Sequence, residues 1–213
     1  MKYLVKTPWL LKKIYPGCVW DIPVQDNVLY LTFDDGPHPE ATPFVLDELK
    51  KYNAKATFFC VGKNVVEYPE IYKRILFEGH RTGNHSFNHL NGWKVDDKTY
   101  IADVMEARKF IDSDIFRPPY GKVTKFQNRL LTTSPSPDKK QLFKIIMWNV
   151  LSADFDLSIS PETCASNVIK NAKPGSIIVF HDSEKALSKL KFALPEVLKH
   201  FTAKNYSFAE IKL

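Results

Sequence analysis

Short apolar runs rich in β-formers recur along the chain, separated by segments of helical periodicity, and this alternation constrains the fold more than any other feature. Val28 to Phe33, Lys55 to Val61, Ile115-Phe116, Leu142 to Trp148, Ser176 to Phe180 and Tyr206 to Ile211 read as strands, and His80 leads along another toward Gly83. Between them, Thr42-Pro43 reads as an N-cap followed by a first-turn proline, with Val45, Leu49 and Tyr52 on one helical face. Pro69 to Glu78 reads as a helix stopped by Gly79. Asp97 to Ile111 carries Tyr100, Val104, Ala107 and Ile111 at helical spacing, and Ser160-Pro161 starts another helix. Glu184 to Phe201 completes the set, with a break expected at Pro195. About seven strands alternating with helices predict a single α/β domain with a largely parallel sheet. Its natural closed form is a (β/α) barrel, although 213 residues fall short of the ~250 of eight full units. No Gly-x-Gly-x-x-Gly fingerprint is present, which argues against a dinucleotide fold. Leu131 to Lys140 reads as a polar loop inside the domain.

Composition narrows the class. Hydrophobic residues make up 44% and charged residues 25%, which excludes disordered and fibrous chains. Aromatics reach 13%, enough for a large core and for a site that grips flat rings. The net charge of +6 is spread along the chain and comes mostly from Lys, so it reads as a solvated surface and not as a nucleic-acid footprint. The three cysteines, Cys18, Cys60 and Cys164, lie far apart and form no disulfide framework; Cys60 reads as a small buried hydrophobe. Met1 to Pro16 is broken by Lys2, Lys6, Lys12 and Lys13 and lacks the apolar core of a secretory signal. No run approaches the ~20 apolar residues of a membrane span, so the expectation is a soluble cytoplasmic protein.

Chemistry-bearing residues gather at strand ends. Asp34 and Asp35 follow the first strong strand, and Gly36-Pro37 then forces a turn. Adjacent carboxylates repel, and a bound metal would relieve this by taking one as ligand and leaving the other as base. His85 and His89 are four apart, which on a helical turn puts both imidazoles on one face. With one carboxylate they make a three-ligand site of the kind that keeps a catalytic zinc open to water. His80 reads as structural. In Arg117-Pro118-Pro119-Tyr120 the prolines remove donors, so the next free N–H is that of Tyr120, suited to an oxyanion, while Arg117 can hold a carboxylate ionised. Met147 to Asp156 contains Trp148 and Asp154, and Ile177 to Asp182 ends in His181. His181 alone reads either as a satisfied core histidine or as a titrating group at a pocket mouth. Asp34, Asp35, His85, Arg117, Asp154 and His181 each stand at or just past a strand end, where a barrel gathers its catalytic groups.

With these motifs in this order, the sequence resembles the NodB-homology polysaccharide deacetylases, carbohydrate esterase family four, from about Tyr30 to Phe208. The resemblance implies a distorted, incomplete barrel, with residues 1–27 an extension packed on a catalytic domain of 28–213. It implies Asp34 as catalytic base and Asp35, His85 and His89 as ligands of a divalent ion, zinc foremost, with cobalt, nickel and manganese as the other candidates. Arg117 would brace the base, the Tyr120 N–H would join the oxyanion site, and His181 would be the general acid. Pro119, Trp148 and Val179 would line the substrate pocket. Two departures stand out: Leu151 and Phe155 occupy positions where the family's fourth motif has Asp and Trp, and Val179 replaces a Leu of the acetyl pocket. Asp154 is then the expected partner of His181. The function implied is hydrolysis of an N-acetyl group on a sugar or polysaccharide, releasing acetate, with an N-acetylated carbohydrate as partner. Two other readings are a metal-dependent amidohydrolase of a small cytosolic amide and a catalytically lapsed carbohydrate-binding barrel.

Overall fold

The computed structural model describes residues 3–133 and 143–213; the expected Leu131 to Lys140 loop, from residue 134 on, and the start of the Leu142 strand lie outside them. The described chain runs α1 (Trp9–Ile14), β1 (Cys18–Val19), β2 (Val28–Asp34), α2 (Ala41–Lys51), β3 (Thr57–Cys60), α3 (Gly62–Glu67), α4 (Pro69–Phe77), β4 (Arg81–Asn84) and α5 (Asp97–Ala107). It continues through β5 (Ile115–Phe116), a 3-10 turn at Pro119–Gly121, α6 (Lys125–Thr132), β6 (Lys144–Ile146), β7 (Val150–Leu151), α7 (Pro161–Asn171), β8 (Ile177–His181), α8 (Glu184–Thr202) and β9 (Ser207–Phe208). The strands form one parallel sheet in the order β1-β6-β5-β4-β3-β2-β8-β7, with β9 paired to the start of β2. The expected incomplete (β/α) barrel is therefore present, with nine strands among the described residues in place of about seven.

Period-two alternation sorts the side chains. Leu29, Leu31 and Phe33 point outward and pack under α2, α7 and α8 with Val45, Leu49, Val168, Leu194 and Val197. Tyr30 takes the other side, with Phe59, Ile115, Ile146 and Ile177 inside the curl of the sheet. The same parity carries Thr32 and Asp34 inward. β2 pairs with β8 in a register that sets Thr32 beside Val179 and Asp34 beside His181. Gly83 faces Phe59 in the neighbouring strand, and a Cβ there would lie 2.5 Å from the Phe59 ring, so glycine makes the room this ring occupies.

The segment before β2 does more than pack on the domain. Lys6 bridges antiparallel to Val150 on β7, Leu151 N–H donates to Val5 O, and β1 then pairs with β6 at the opposite edge. Residues 5–19 thus cross the gap between the two open edges and cover backbone groups that would otherwise invite strand addition. β1 and β7 escape a pattern search because two residues carry no periodicity.

Other departures have local causes. α2 starts two residues earlier than Thr42-Pro43 implies, because the His38 imidazole accepts from the N–H groups of Glu40 and Ala41 and supplies the cap. α8 runs unbroken through Pro195, since Leu190, Ala193, Leu194, Val197 and Leu198 bury one face along its length and offset the lost hydrogen bond. β9 keeps only two ladder residues of Tyr206 to Ile211, with Ile211 N–H donating to Thr57 Oγ1 beyond them. His80 is buried, and its Nδ1 accepts the Ala56 N–H; burial and nearby Lys55 push its pKa down to about 4, as befits a structural neutral imidazole. All three cysteines are free and buried. Among the described residues no helix is long and apolar enough to cross a membrane.

Gly83→Ala is expected to destabilise the fold by about 1–3 kcal/mol through overpacking against Phe59. A urea titration reads this as a lower midpoint at constant slope; a midpoint equal to that of the parent would mean the ring has room to yield.

Candidate active site

The C-terminal ends of β2, β4, β5, β7 and β8 deliver the polar groups to one rim, and Arg117 is their hub. Its side chain is 0% exposed. Nη1 donates to Asp34 Oδ1 and Thr32 Oγ1, both at 2.6 Å, Nε donates to Ile146 O and Nη2 to Met147 O. The guanidinium also lies 4.0 Å from the Phe59 ring centre. Asp34, 4% exposed, thereby has one oxygen held by a permanent cation and the other left to accept a proton.

Asp35 turns the other way. Its φ of 83° is left-handed, a conformation that Asp tolerates better than most residues. Asn64 Nδ2 donates to its carbonyl at 2.7 Å and Asp182 Oδ1 accepts the next N–H, that of Gly36, at 3.0 Å. The fit at Gly36 is close, since a Cβ there would overlap the Asp182 carboxyl. Asp35 Oδ1 lies 3.1 Å from His89 Nε2 and 3.7 Å from His85 Nε2, and one donor atom from each of the three residues falls within 4.8 Å of the others. His85 Nδ1 is 2.7 Å from Arg117 O, an acceptor only, so Nδ1 carries the proton and Nε2 offers its lone pair toward Asp35. Burial pushes the His85 pKa down to about 4, the neutral form that a metal ligand needs. Burial acts to raise the Asp35 carboxyl, but the His89 hydrogen bond and the charge of His181 outweigh it and hold the group well below the usual carboxylate range. Two imidazoles and one carboxylate, with an imidazole fixed from behind, suit a borderline divalent cation such as zinc.

The histidines are not on the expected helical turn. His85 follows β4 directly and the chain to His89 is a loop, with Ser86 and His89 at φ 63° and 57°. Side chains take the N–H groups a helix would need: Asn84 Oδ1 accepts from Ser86, and the buried Asp103 carboxylate accepts from Phe87, Asn88 and the Asn88 amide. Asp103 was legible only as a charge within the buried phase of α5, beside Tyr100 and Val104.

On the opposite side, Asp154 is fully buried. Its Oδ1 lies 2.7 Å from His181 Nδ1 and its Oδ2 accepts the His181 N–H at 2.7 Å. Burial alone would depress His181, but the charge and hydrogen bond of Asp154, with Asp35 and Asp34 behind them, push its pKa up to about 10. Leu151 is buried on β7, and Phe155 sets its ring edge-on to His181 at 5.2 Å and to Tyr3 at 5.5 Å. Pro119 is buried, and Tyr120, at φ 59°, packs its ring 4.6 Å from His89. Its N–H meets no protein acceptor among the described residues. Trp148 lies against Gly121, and Val179 is buried on β8 two residues before His181. The site residues expected from sequence thus meet on one rim. Asn64, Asp103, Asp182 and Thr32 were not among them.

The Polysaccharide deacetylase family profile matches residues 21–132. A peptidoglycan-N-acetylglucosamine deacetylase of Bacillus cereus is 32% identical over 198 residues, spanning 90% of this chain and 90% of that protein. A chitooligosaccharide deacetylase of Azorhizobium caulinodans is 33% identical over 161 residues, 72% of this chain and 73% of that one. Other relatives are longer, and the chain spans only 62% or 37% of them. The crystal structure of the Bc1960 peptidoglycan N-acetylglucosamine deacetylase superposes with a TM-score of 0.84 at 32% identity, covering 96% of this chain and 95% of that one. A profile match over half the chain, joined to this likeness along nine-tenths of it, means that the chain belongs to the polysaccharide deacetylase family.

Proposed function

We propose that this member of the family is a metal-dependent hydrolase that removes the acetyl group from an N-acetylated sugar of a glycan. The observation that carries the reading is the division of labour around one rim: a cation-braced carboxylate at Asp34, a three-donor site at Asp35, His85 and His89, and a carboxylate-braced imidazole at His181. A divalent ion held by Asp35, His85 and His89 supplies Lewis acidity toward the acetyl carbonyl.

The chain's own residues divide the remaining work. Asp34, held in place by Arg117, takes a proton from the attacking water as the new C–O bond forms. The oxyanion that develops is met by the Tyr120 N–H, which the two preceding prolines leave as the one backbone donor of that turn. His181 enters the reaction protonated, because Asp154 stabilises the imidazolium, and passes its proton to the nitrogen as the C–N bond breaks. Acetate and an amine result, and the proton on Asp34 balances the one lost from His181. The names of relatives that act on peptidoglycan and on chitooligosaccharides support an N-acetylated glycan as substrate.

Asp34→Asn is expected to retain the bound ion, read by elemental analysis of the dialysed protein. Acetate release from chitin oligomers and peptidoglycan fragments falls by about 10²–10⁴. Release at the parental rate would remove Asp34 as the base.

The alkaline limb of the pH–rate profile gives a second test. His181 has a raised pKa, so its acid form is present at neutral pH and is lost as pH rises through about 10. Asp154→Asn takes away the stabilising charge, and the limb is expected to move to lower pH by at least about one unit. An unmoved limb would show that Asp154 does not tune the acid.

A further inference from the structure

Trp93 is 58% exposed, yet its position is held from several sides. The indole N–H donates to Val123 O at 3.2 Å, the Lys122 ammonium lies 3.9 Å from the ring centre, and the Trp93 backbone N–H donates to Asn91 Oδ1. The preceding Gly92 is buried, and its carbonyl accepts from Gln127 Nε2 at 2.8 Å. A Cβ on Gly92 would lie 2.6 Å from both Lys122 O and Gln127 Oε1, so the loop is pressed onto its neighbour. Gln127 is itself fixed by a reciprocal cap with Thr124 at the start of α6. A ring left in water gains nothing for the core, and holding it in one orientation costs side-chain entropy. Such an arrangement is suited to a ligand that covers the ring.

Its location says which ligand. Trp93 stands four residues beyond the metal ligand His89, and Lys122 two residues beyond Tyr120. These are the loops that leave the adjacent strands β4 and β5 at the catalytic rim. Tyr120, 57% exposed, joins the two by packing on His89. Two exposed rings therefore lead away from the acetyl-binding centre, with Lys122 and Asn91 as polar groups beside the outer one. Lys122 takes one face of the indole, which leaves the other face and the rim for contact. A pyranose matches this chemistry: its axial C–H groups form an apolar face, and its hydroxyl rim meets polar neighbours.

We infer that Trp93, steadied by Lys122, is a binding platform for a second sugar ring of the substrate. This rests on the deacetylase reading above.

The test uses zinc-loaded full-length chain carrying Asp34→Asn, which holds glycan without consuming it. Calorimetric titration compares N-acetylglucosamine with chitotetraose, with and without Trp93→Ala. The added variant is expected to weaken the tetrasaccharide about tenfold, the size of one aromatic contact, with a much smaller effect on the monosaccharide. Trp93→Phe, which keeps a ring, is expected to restore most of the loss. Equal tetrasaccharide affinity with and without Trp93→Ala overturns the platform, as does a uniform loss on both sugars that Phe does not recover. Acetate release by the parent chain is measured alongside. Trp93-dependent binding without any release would leave the platform standing and the deacetylase reading overturned; release whose chain-length preference ignores Trp93 would do the reverse.

Discussion

A single buried guanidinium ties the catalytic rim together. Arg117 reaches from the end of β5 to Thr32 and Asp34 on β2 and to the carbonyls of Ile146 and Met147 beyond β6. Its backbone N–H goes to Asn84 O on β4, and its carbonyl meets His85 Nδ1. Taking a full charge out of water costs several kcal/mol, and only a partner charge with nearly complete hydrogen bonding offsets it. The cost has a consequence for specificity. Any shift of β2, β4 or β6 relative to β5 would strand part of this group, so one residue sets the register of the rim and the position of the Asp34 carboxylate together. Removing either partner would leave the other buried and unpaired, a loss of about 3–5 kcal/mol.

Around this hub the backbone is strained where the chemistry is. Asp35, Ser86, His89, Tyr120 and Ala153 all have left-handed φ without being glycine, and all five lie in the loops that carry or flank the site. Conformations of this kind cost of order 1–3 kcal/mol each and persist only where surrounding contacts over-determine them. Here those contacts are polar clamps from elsewhere in the chain: Asn64 on the Asp35 carbonyl, Asp182 on the Gly36 N–H, Asp103 on the loop between the histidines, and Asp154 on the His181 N–H. The clamps explain why a site built on loops holds the donor atoms of Asp35, His85 and His89 together.

Most of the architecture is legible in the pattern of the chain, and the exceptions are instructive. β2 and β8 announce themselves as apolar runs because both faces are buried, one under helices and one inside the sheet. The proline and capping signals at Pro69 and Ser160 mark helix starts correctly, since their effect is local. Two-residue strands such as β1 and β7 have no period to detect. The pair His85 and His89 reads as helical by spacing, but Asn84 and Asp103 divert the N–H groups and make a loop that brings the imidazoles together by another route. Where Leu151 departs from the family pattern, Asp154 reaches both His181 Nδ1 and its backbone N–H.

The amino-acid sequence by itself determined which groups stand at strand ends and which way they face. Strand alternation has a period of two, and an apolar run flanked by helices leaves a carboxylate or imidazole at its end one destination, the inner rim. It also determined the donor types, so the chemistry of the site was readable before its shape. Only the tertiary structure decided who meets whom: that β2 lies between β3 and β8 so that Asp34 sits beside His181, that Arg117 crosses the interior to Asp34, and that Trp93 is held against the loop beyond Tyr120. These pairings join residues far apart along the chain. They follow from strand order and from the need to satisfy buried charge, neither of which is encoded in local propensity.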